Sequence, residues 1–108
     1  MQPFTEKVIT IIQFIPEGRV MTYGQIAAAA GSPRAARQVV RILHSMSKKH
    51  RLPWHRVVNA KGQIAMQDDE SYQEQLFSLE SEGVAVGLKG IIDLEKYQHH
   101  PENLLVEK

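Results

Sequence analysis

The fold is decided by one stretch of sequence, residues 22–48, which reads TYGQIAAAAGSPRAARQVVRILHSMSK. Its first residue, Thr22, is followed three positions later by Gln25, which is the pattern of a capping box at a helix start. Gly31 suits the end of that helix, and Ser32-Pro33 supplies a serine cap and a first-turn proline for a next helix that reaches about residue 48. Two helices joined by so short a turn predict a helix-turn-helix.

The second of these helices has one basic face and one apolar face. At about 100° per residue, its basic side chains fall within one narrow stripe and its apolar side chains on the opposite side. The basic stripe contains Arg34, Arg37, Arg41, His44 and Lys48, and the opposite side contains Ala36, Val39, Ile42, Leu43 and Met46. Charged stripes are common on solvated helices, but the preceding capped helix and the tight turn favour contacts with DNA phosphates and base edges.

The sequence on either side predicts further helices and a small β component. Apolar spacing over residues 3–15 predicts a first helix, and an aspartate cap and a glycine stop predict another over residues 68–83. Branched residues over 56–60 and 63–66, around Lys61-Gly62, predict a hairpin. The expected fold class is therefore mainly α with a small β-hairpin, in the manner of a winged helix-turn-helix DNA-binding domain.

Composition limits the classes of protein to which the chain can belong. Its 108 residues make one ordinary domain, which we place at residues 1–97, with a loosely ordered tail over 98–108. No stretch approaches the roughly 20 apolar residues that span a membrane, and the first residues lack the features of a signal peptide, so we expect a cytoplasmic, monomeric protein. The chain has no cysteine, which excludes disulfides, thiol nucleophiles and cysteine metal sites. We expect neither a metal nor another cofactor.

The distribution of charge is more informative than its sum. The net charge is only +1, which argues against a general binder of polyanions. Residues 34–56, however, carry seven lysine and arginine side chains and no acidic one, whereas the chain from Asp68 onward is rich in acids. The basic charge is therefore concentrated around the predicted DNA-binding helix.

Three longer motifs complete the sequence pattern. They are Thr22-Tyr23-Gly24-Gln25-Ile26, Ser32-Pro33-Arg34-Ala35-Ala36-Arg37 and Leu52-Pro53-Trp54-His55-Arg56-Val57-Val58-Asn59. In order and spacing they resemble the DNA-binding domain of the O6-alkylguanine-DNA alkyltransferases, which implies the fold of the C-terminal domain of those enzymes from about residue 4 to Tyr97. Where that family has Pro-Cys-His-Arg-Val, this chain has Trp54 in place of the cysteine, which resembles the non-enzymatic, alkyltransferase-like branch.

The resemblance implies roles for particular residues. Tyr23 is similar to a tyrosine that crowds a DNA phosphate and helps to rotate the damaged nucleotide, and Arg37 to an arginine that enters the duplex and fills the gap. The helix that carries Arg37 would then lie in the minor groove. The implied DNA-binding residues are Thr22, Tyr23, Arg34, Ala36, Arg37 and Arg41, and those of the lesion pocket are Tyr23, Pro53, Trp54, Val57 and Gln67.

Trp54 decides the chemistry. Alkyl transfer needs a thiolate that a neighbouring histidine activates, whereas an indole nitrogen is a donor without an available lone pair. We therefore predict that the chain is not an enzyme and has no catalytic residue. His55 and Glu82, which resemble the family's histidine and its orienting glutamate, would form a retained hydrogen-bond network, with a water-activating pair as the alternative. Trp54 is interpreted as a stacking surface for the flipped base, the alternative being a core anchor.

The predicted function is recognition of O6-alkylguanine in double-stranded DNA, without repair, followed by handover to nucleotide excision repair proteins. The alternative is a sequence-specific winged-helix transcription regulator. Three departures from the family pattern are Val40-Arg41 in place of a glycine pair, Met46 in place of a hinge asparagine, and Met66-Gln67-Asp68 where relatives often have a basic residue. The first two departures predict that the helix approaches DNA less closely. The third predicts that no cation contacts the damaged base.

Overall fold

The computed structural model describes residues 1–101 and has, within that range, five α-helices and one two-stranded sheet. The helices are α1 (Pro3–Gln13), α2 (Tyr23–Ala29), α3 (Ala36–His50), α4 (Asp69–Ser81) and α5 (Leu94–Tyr97). The strands are β1 (Met21–Thr22) and β2 (Val57–Val58), and 3-10 helices cover Trp54–Arg56, immediately before β2, and Leu88–Gly90. The mainly helical fold class is confirmed.

Two helices start at the side chains that were predicted to cap them. In the capping box of α2, the Gln25 amide donates to Thr22 Oγ1 at 3.1 Å, and the Thr22 amide donates to Gln25 Oε1 at 3.3 Å. At the start of α4, the Asp68 carboxylate accepts from the Ser71 amide at 2.9 Å. These bonds satisfy amides that a helix leaves unpaired in its first turn.

The prediction that α3 starts at Ser32-Pro33 is wrong, because the helix begins only after a further turn. The Ser32 amide donates to the Ala27 carbonyl at 2.9 Å and so still belongs to the end of α2. In the turn that follows, the Ala35 amide donates to the Ser32 carbonyl at 2.9 Å, and Ala35 has non-helical dihedral angles. Arg34 consequently lies in this turn, and no side chain caps the first turn of α3.

The β component is not the predicted hairpin. β1 and β2 pair in parallel, with Met21 opposite Val57, so the sheet joins segments that are distant in sequence. The predicted turn does form, since the Gly62 amide donates to the Asn59 carbonyl at 2.9 Å. Its two arms then separate, because one is buried beside β1 and the other bonds to the segment before α5, where the Ile64 amide donates to the Gly90 carbonyl at 2.9 Å. At the turn itself, the Ile92 amide donates to the Gly62 carbonyl at 2.8 Å. A Cβ on Gly62 would lie 2.7 Å from the Ile92 carbonyl oxygen, so this approach requires glycine.

Two groups of buried side chains hold these elements together. The first core lies among α1, α2 and α3 and includes Val8, Ile12, Ile26, Val39 and Leu43. The second core lies under α4 and includes Val20, Val58, Ile64, Leu79 and Ile92. The sheet joins them, since Met21 and Val57 belong to the first core while their chain neighbours Val20 and Val58 belong to the second. The position of α4 relative to α3 therefore depends on this pairing.

The structure describes only the start of the predicted loose tail, because residues 102–108 lie outside the described residues. Gln98 forms a parallel bridge with Val20, and the His99 amide donates to the Val20 carbonyl at 2.8 Å. Gln25 Nε2 adds a hydrogen bond to the His99 carbonyl at 2.5 Å. The domain therefore continues past the predicted boundary at residue 97.

No helix within residues 1–101 has the length and apolar character needed to cross a membrane.

Candidate nucleic-acid interface and pocket

A cavity of about 190 Å³ opens where α3 meets the start of α2, the Trp54–Arg56 helix and the start of α4. Its lining residues are Tyr23, Val40, Leu43, His44, Ser47, Trp54, Met66 and Ser71. A cavity of roughly 150 Å³ holds a benzene ring, so this one has room for a somewhat larger flat ring. A mostly apolar wall with a few polar groups is typical of a site for a small organic group.

The cavity brings together Tyr23 and Trp54, which are distant in sequence. Tyr23 is the first residue of α2, directly after β1, and Trp54 opens the 3-10 helix that leads into β2. The pairing of β1 with β2 therefore sets the separation of the two rings. Both rings are partly buried against the first core. Burial raises the pKa of Tyr23, so its hydroxyl stays neutral at physiological pH.

Four of the predicted interface and pocket residues have other positions in the structure. Val57 is 1% exposed and packs in the first core, because β2 is a buried strand. Pro53 is the residue before the 3-10 helix, and Gln67 is exposed while its neighbour Met66 lines the cavity. Thr22, predicted to contact DNA, is buried and occupied as the cap of α2.

One side of α3 supplies half of the cavity lining. Val40, Leu43, His44 and Ser47 recur at intervals of three and four residues, which places them on one side of a helix. The sequence patterns did not predict this group, since Leu43 was assigned to the apolar side and His44 to the basic stripe. The cavity follows the border between those two sides. Residues at the border between the apolar side and the basic side of a helix are therefore candidates for lining a cavity.

Apart from Arg34, which lies in the turn before the helix, the basic stripe lies on the exposed side of α3, and His44 belongs both to it and to the cavity lining. Arg34, Arg37 and Arg41 are exposed, and within residues 1–101 none of them forms an ion pair. Their charges are therefore available to DNA phosphates. The first turn of α3, which starts at Ala36, has no capping side chain, although the Gln38 amide already donates to the Ala35 carbonyl at 3.0 Å.

Glu82, at the end of α4, is the centre of a polar cluster. Its Oε2 atom lies 2.6 Å from His55 Nε2 and 2.7 Å from Arg56 Nη2. Its Oε1 atom accepts from the Gly18 amide and from Arg56 Nε, each at 3.0 Å. Burial alone would raise the pKa of Glu82, but the hydrogen bonds from Arg56, Gly18 and His55 outweigh it and lower the pKa from 4.5 to about 2. The side chain is thus a carboxylate at neutral pH.

This cluster positions the 3-10 helix that carries Trp54. Arg56 Nη1 also donates to the Ile15 carbonyl at 2.8 Å, which ties the 3-10 helix to the segment after α1. The fully buried Gln75 of α4 donates from Nε2 to the His55 carbonyl at 3.0 Å. The Glu82 carboxylate is shared between His55 and the Arg56 guanidinium, and through these bonds the cluster supports the wall of the cavity.

The chain offers no acceptor for an alkyl group and no metal centre among its described residues. It contains no cysteine in its whole sequence, and an indole has no available lone pair with which to attack. Within residues 1–101, no group of three or more His, Asp or Glu side chains is arranged to hold a metal ion.

Comparison with known proteins gives consistent results. Residues 3–84 match the family model of the 6-O-methylguanine DNA methyltransferase, DNA binding domain. The chain is 47% identical over 95 residues to the DNA base-flipping protein of Escherichia coli K12, a match that covers 88% of this chain and 73% of that protein. It is 40% identical over 87 residues to alkyltransferase-like protein 1 of Schizosaccharomyces pombe, covering 80% of this chain and 81% of the relative.

The fold also matches a solved complex. The crystal structure of S. pombe Atl1 with damaged DNA containing O6-carboxymethylguanine superimposes with a TM-score of 0.83 and 36% sequence identity, covering 94% of this chain and 98% of that one. The expected likeness to the alkyltransferase DNA-binding fold is confirmed.

Proposed function

Because this chain belongs to the alkyltransferase-like branch of the 6-O-methylguanine DNA methyltransferase family, we propose that it recognises O6-alkylguanine in double-stranded DNA. The damaged nucleotide is flipped out of the duplex and its base enters the cavity between Tyr23 and Trp54. The reason for flipping is geometric, since a stacked base cannot bring its O6 substituent into a protein pocket. The relatives named as base-flipping proteins support this mode of binding.

One observation carries the proposal: the cavity lies directly beside the unpaired basic stripe on α3. His44 belongs to both features, so a duplex held by the stripe has its bases next to the cavity mouth. The flat indole of Trp54 offers a stacking surface, which contributes about 1–3 kcal/mol per base in proteins that bind unstacked nucleotides. Neither feature alone distinguishes damaged DNA from undamaged DNA, but together they support the entry of a flipped base into the cavity.

Residues of α3 and of the turn before it hold the duplex through different contacts. Arg34 in the turn and Arg41 in the second turn bind phosphates. Arg37 lies in the first turn and enters the space that the flipped nucleotide leaves. With this assignment α3 approaches the duplex from the minor groove.

Binding without chemistry implies a further step carried out by other proteins. The chain has no cysteine to accept the alkyl group, so the lesion stays in the DNA after recognition. We propose that the protein acts as a monomer in the cytoplasm and that the lesion-bearing complex is passed to nucleotide excision repair proteins. Because the lesion is still intact, it remains a substrate that an excision pathway can remove.

A binding titration tests the proposal directly. Duplexes that differ only in one O6-methylguanine or guanine are titrated in several flanking sequences at one fixed salt concentration. We expect the lesion to be bound about 5- to 150-fold more tightly in every sequence, as ~1–3 kcal/mol of stacking provides. Equal affinities for the two duplexes would refute lesion recognition, and a preference for one undamaged sequence would instead support a winged-helix regulator.

A further inference from the structure

The segment at the end of α5, residues 97–99, is bonded to the chain directly before β1. The Val20 amide donates to the Tyr97 carbonyl at 2.9 Å, and the His99 amide donates to the Val20 carbonyl at 2.8 Å. Between these two bonds, Gln98 forms a parallel bridge with Val20. The segment therefore holds the chain that leads through β1 into α2.

A second connection joins the same segment to the first turn of α2. Gln98 Nε2 donates to Gln25 Oε1 at 2.9 Å, and Gln25 Nε2 donates to the His99 carbonyl at 2.5 Å. We call these two bonds the amide junction. Gln25 Oε1 also accepts from the Thr22 amide at 3.3 Å, as part of the capping box. The Gln25 side chain thus caps α2 and connects the start of that helix to residues 97–99.

These bonds fix the direction in which the Gln25 amide points. Its oxygen faces two N–H donors, from Thr22 and Gln98, and its nitrogen faces the His99 carbonyl. Turning the amide over would bring its NH2 group against the Thr22 amide and its oxygen against the His99 carbonyl. The bond from Gln98 is shorter than the bond from Thr22, so loss of the Gln98 donor also loosens the start of α2.

Tyr23 lies next to this junction. It follows Thr22 as the first residue of α2, lines the cavity and packs, partly buried, against the first core. Its ring moves with the first turn of the helix, so a shift of that turn changes the separation of Tyr23 and Trp54. The pairing of β1 with β2 sets where α2 begins, and the amide junction holds the first turn in one orientation.

We infer that Gln25 and Gln98 are positioning residues of the lesion pocket, which hold the Tyr23 ring where a flipped base fits between it and Trp54. The inference rests on the proposed function, because it concerns how a base is seated in the cavity. Gln98 lies beyond residues 3–84, which match the family model. The support for the pocket therefore comes in part from a segment outside the matched domain.

Two substitutions separate the amide junction from the helix cap. Gln98→Met keeps the length of the side chain and removes the donor to Gln25. Gln25→Glu keeps a residue that suits a capping box, but it places a carboxylate oxygen against the His99 carbonyl in place of the Nε2 donor. The matched control is Gln73→Met, at an exposed glutamine of α4 that does not line the cavity.

Each protein is titrated with duplexes that carry guanine or O6-methylguanine at one position, and the lesion preference is the ratio of the two affinities. We expect Gln98→Met and Gln25→Glu each to lower this ratio about 3- to 10-fold, the effect of roughly one net hydrogen bond. Gln98→Met should leave the affinity for undamaged DNA unchanged. The charge that Gln25→Glu adds acts on both duplexes and cancels from the ratio, and Gln73→Met should keep the wild-type ratio.

The emission of Trp54 with saturating O6-methylguanine duplex is a readout that a purely structural role would leave unchanged. All folded protein is then bound, so the size of the emission change reports how often a base is seated in the cavity. We expect a smaller change in both junction variants. Thermal melting shows that each variant is folded at the temperature of the titration. Because Gln25→Glu keeps the helix cap, it tests the junction even where Gln98→Met is too unstable.

The outcomes separate this inference from the function on which it rests. A wild-type ratio and a full emission change in the folded junction variants would overturn the positioning role and leave lesion recognition intact. Equal loss of affinity for both duplexes in Gln98→Met would also overturn it, because the junction would then support only the fold. No preference of the wild-type protein for O6-methylguanine over guanine would overturn lesion recognition and the positioning role together.

Discussion

Trp54 is the only tryptophan in the chain, so its fluorescence reports on a single place. It lines the cavity and also packs against the first core, so the proposed stacking surface and an anchor in the core are compatible. Undamaged DNA, held by the basic stripe, should change its emission little. Duplex that contains O6-alkylguanine should quench or shift it, because a purine then lies against the indole.

Trp54→Ala should remove lesion preference more than it removes DNA binding. Non-specific binding is electrostatic and should persist, while discrimination should fall by about 1–3 kcal/mol, the value of one stacked base. Because the ring is only partly buried, the stability loss should stay below the ~3–5 kcal/mol of a fully buried aromatic. Lesion titration and thermal melting of the same variant measure the two effects, with Trp54→Phe as a control that keeps a ring. A folded Trp54→Ala protein that still prefers the lesion contradicts the pocket.

Glu82 should make stability depend on acid pH. Its pKa of about 2 in the folded state lies below the ordinary 4.5, so its contribution is complete above about pH 4.5 and is lost as the pH falls toward 2. Glu82→Gln should therefore lower the free energy of unfolding by about 1–3 kcal/mol at pH 7, the range for hydrogen bonds to a charged group at a partly screened site. Urea unfolding of both proteins at pH 7 and pH 3 measures the difference.

The control for this variant is Glu80→Gln, an exposed carboxylate on the same helix, which should change stability little at either pH. The difference between wild type and Glu82→Gln should shrink at pH 3. If it is the same at pH 3 and pH 7, the carboxylate does not stabilise the fold through its charge.

At the scale of elements, the basic stripe on α3 predicts two classes of arginine variant. Arg34→Ala and Arg41→Ala should weaken damaged and undamaged DNA alike, and each should lower the slope of log K against log salt by about one unit if it loses one phosphate contact. Arg37→Ala should weaken damaged DNA selectively, because the gap in the duplex is then left empty. Titrations at several salt concentrations measure both quantities.

Lys7→Ala on α1 removes one exposed positive charge outside α3 and is the matched control for these variants. It should leave the lesion preference and the salt slope close to those of the wild type. If the three arginine variants lose lesion preference equally, the separate roles assigned to Arg37 and to its neighbours are wrong.

The helices were predictable because their signals are local. The Thr22 and Gln25 capping box and the Asp68 cap act within one turn of chain, and both lie where the sequence places them. The start of α3 was not predictable in this way, since the Ser32 amide is committed to a carbonyl of α2. The parallel sheet depends on the packing of distant segments, which a pattern of branched residues around a glycine turn does not contain.

The residues of the candidate site were also predictable only in part. The motif resemblance placed Tyr23 and Trp54 in a pocket, and the structure brings both to one cavity. Ser47 and Ser71, which also line it, come from helices that meet only through the folding of the whole chain. Val57, in contrast, was predicted to line the pocket from its place in the motif, but it lies in a buried strand.

At the scale of the molecule, the cavity lies between the two cores, and its shape depends on how they are joined. α3 belongs to the first core, whereas Met66 packs against the second. The β1–β2 pairing and the Glu82 cluster connect the two. Seven of the 13 lysine and arginine side chains lie within residues 34–56, in a chain whose net charge is only +1. DNA is therefore expected to bind in one orientation, with the cavity facing it.

The protein as a whole should hold O6-methylguanine without changing it. Since the chain has no cysteine, long incubation with lesion-bearing duplex should leave the mass of both the protein and the DNA unaltered in mass spectrometry. While bound, however, the protein occupies the lesion, so it should slow the repair of that duplex by a cysteine-containing alkyltransferase in proportion to its occupancy. Trp54→Ala, which keeps non-specific binding, should shield the lesion far less. A protein that gains the mass of a methyl group, or a duplex that loses it, would show that a residue other than cysteine accepts the alkyl group or that the cluster around His55 and Glu82 supports hydrolysis.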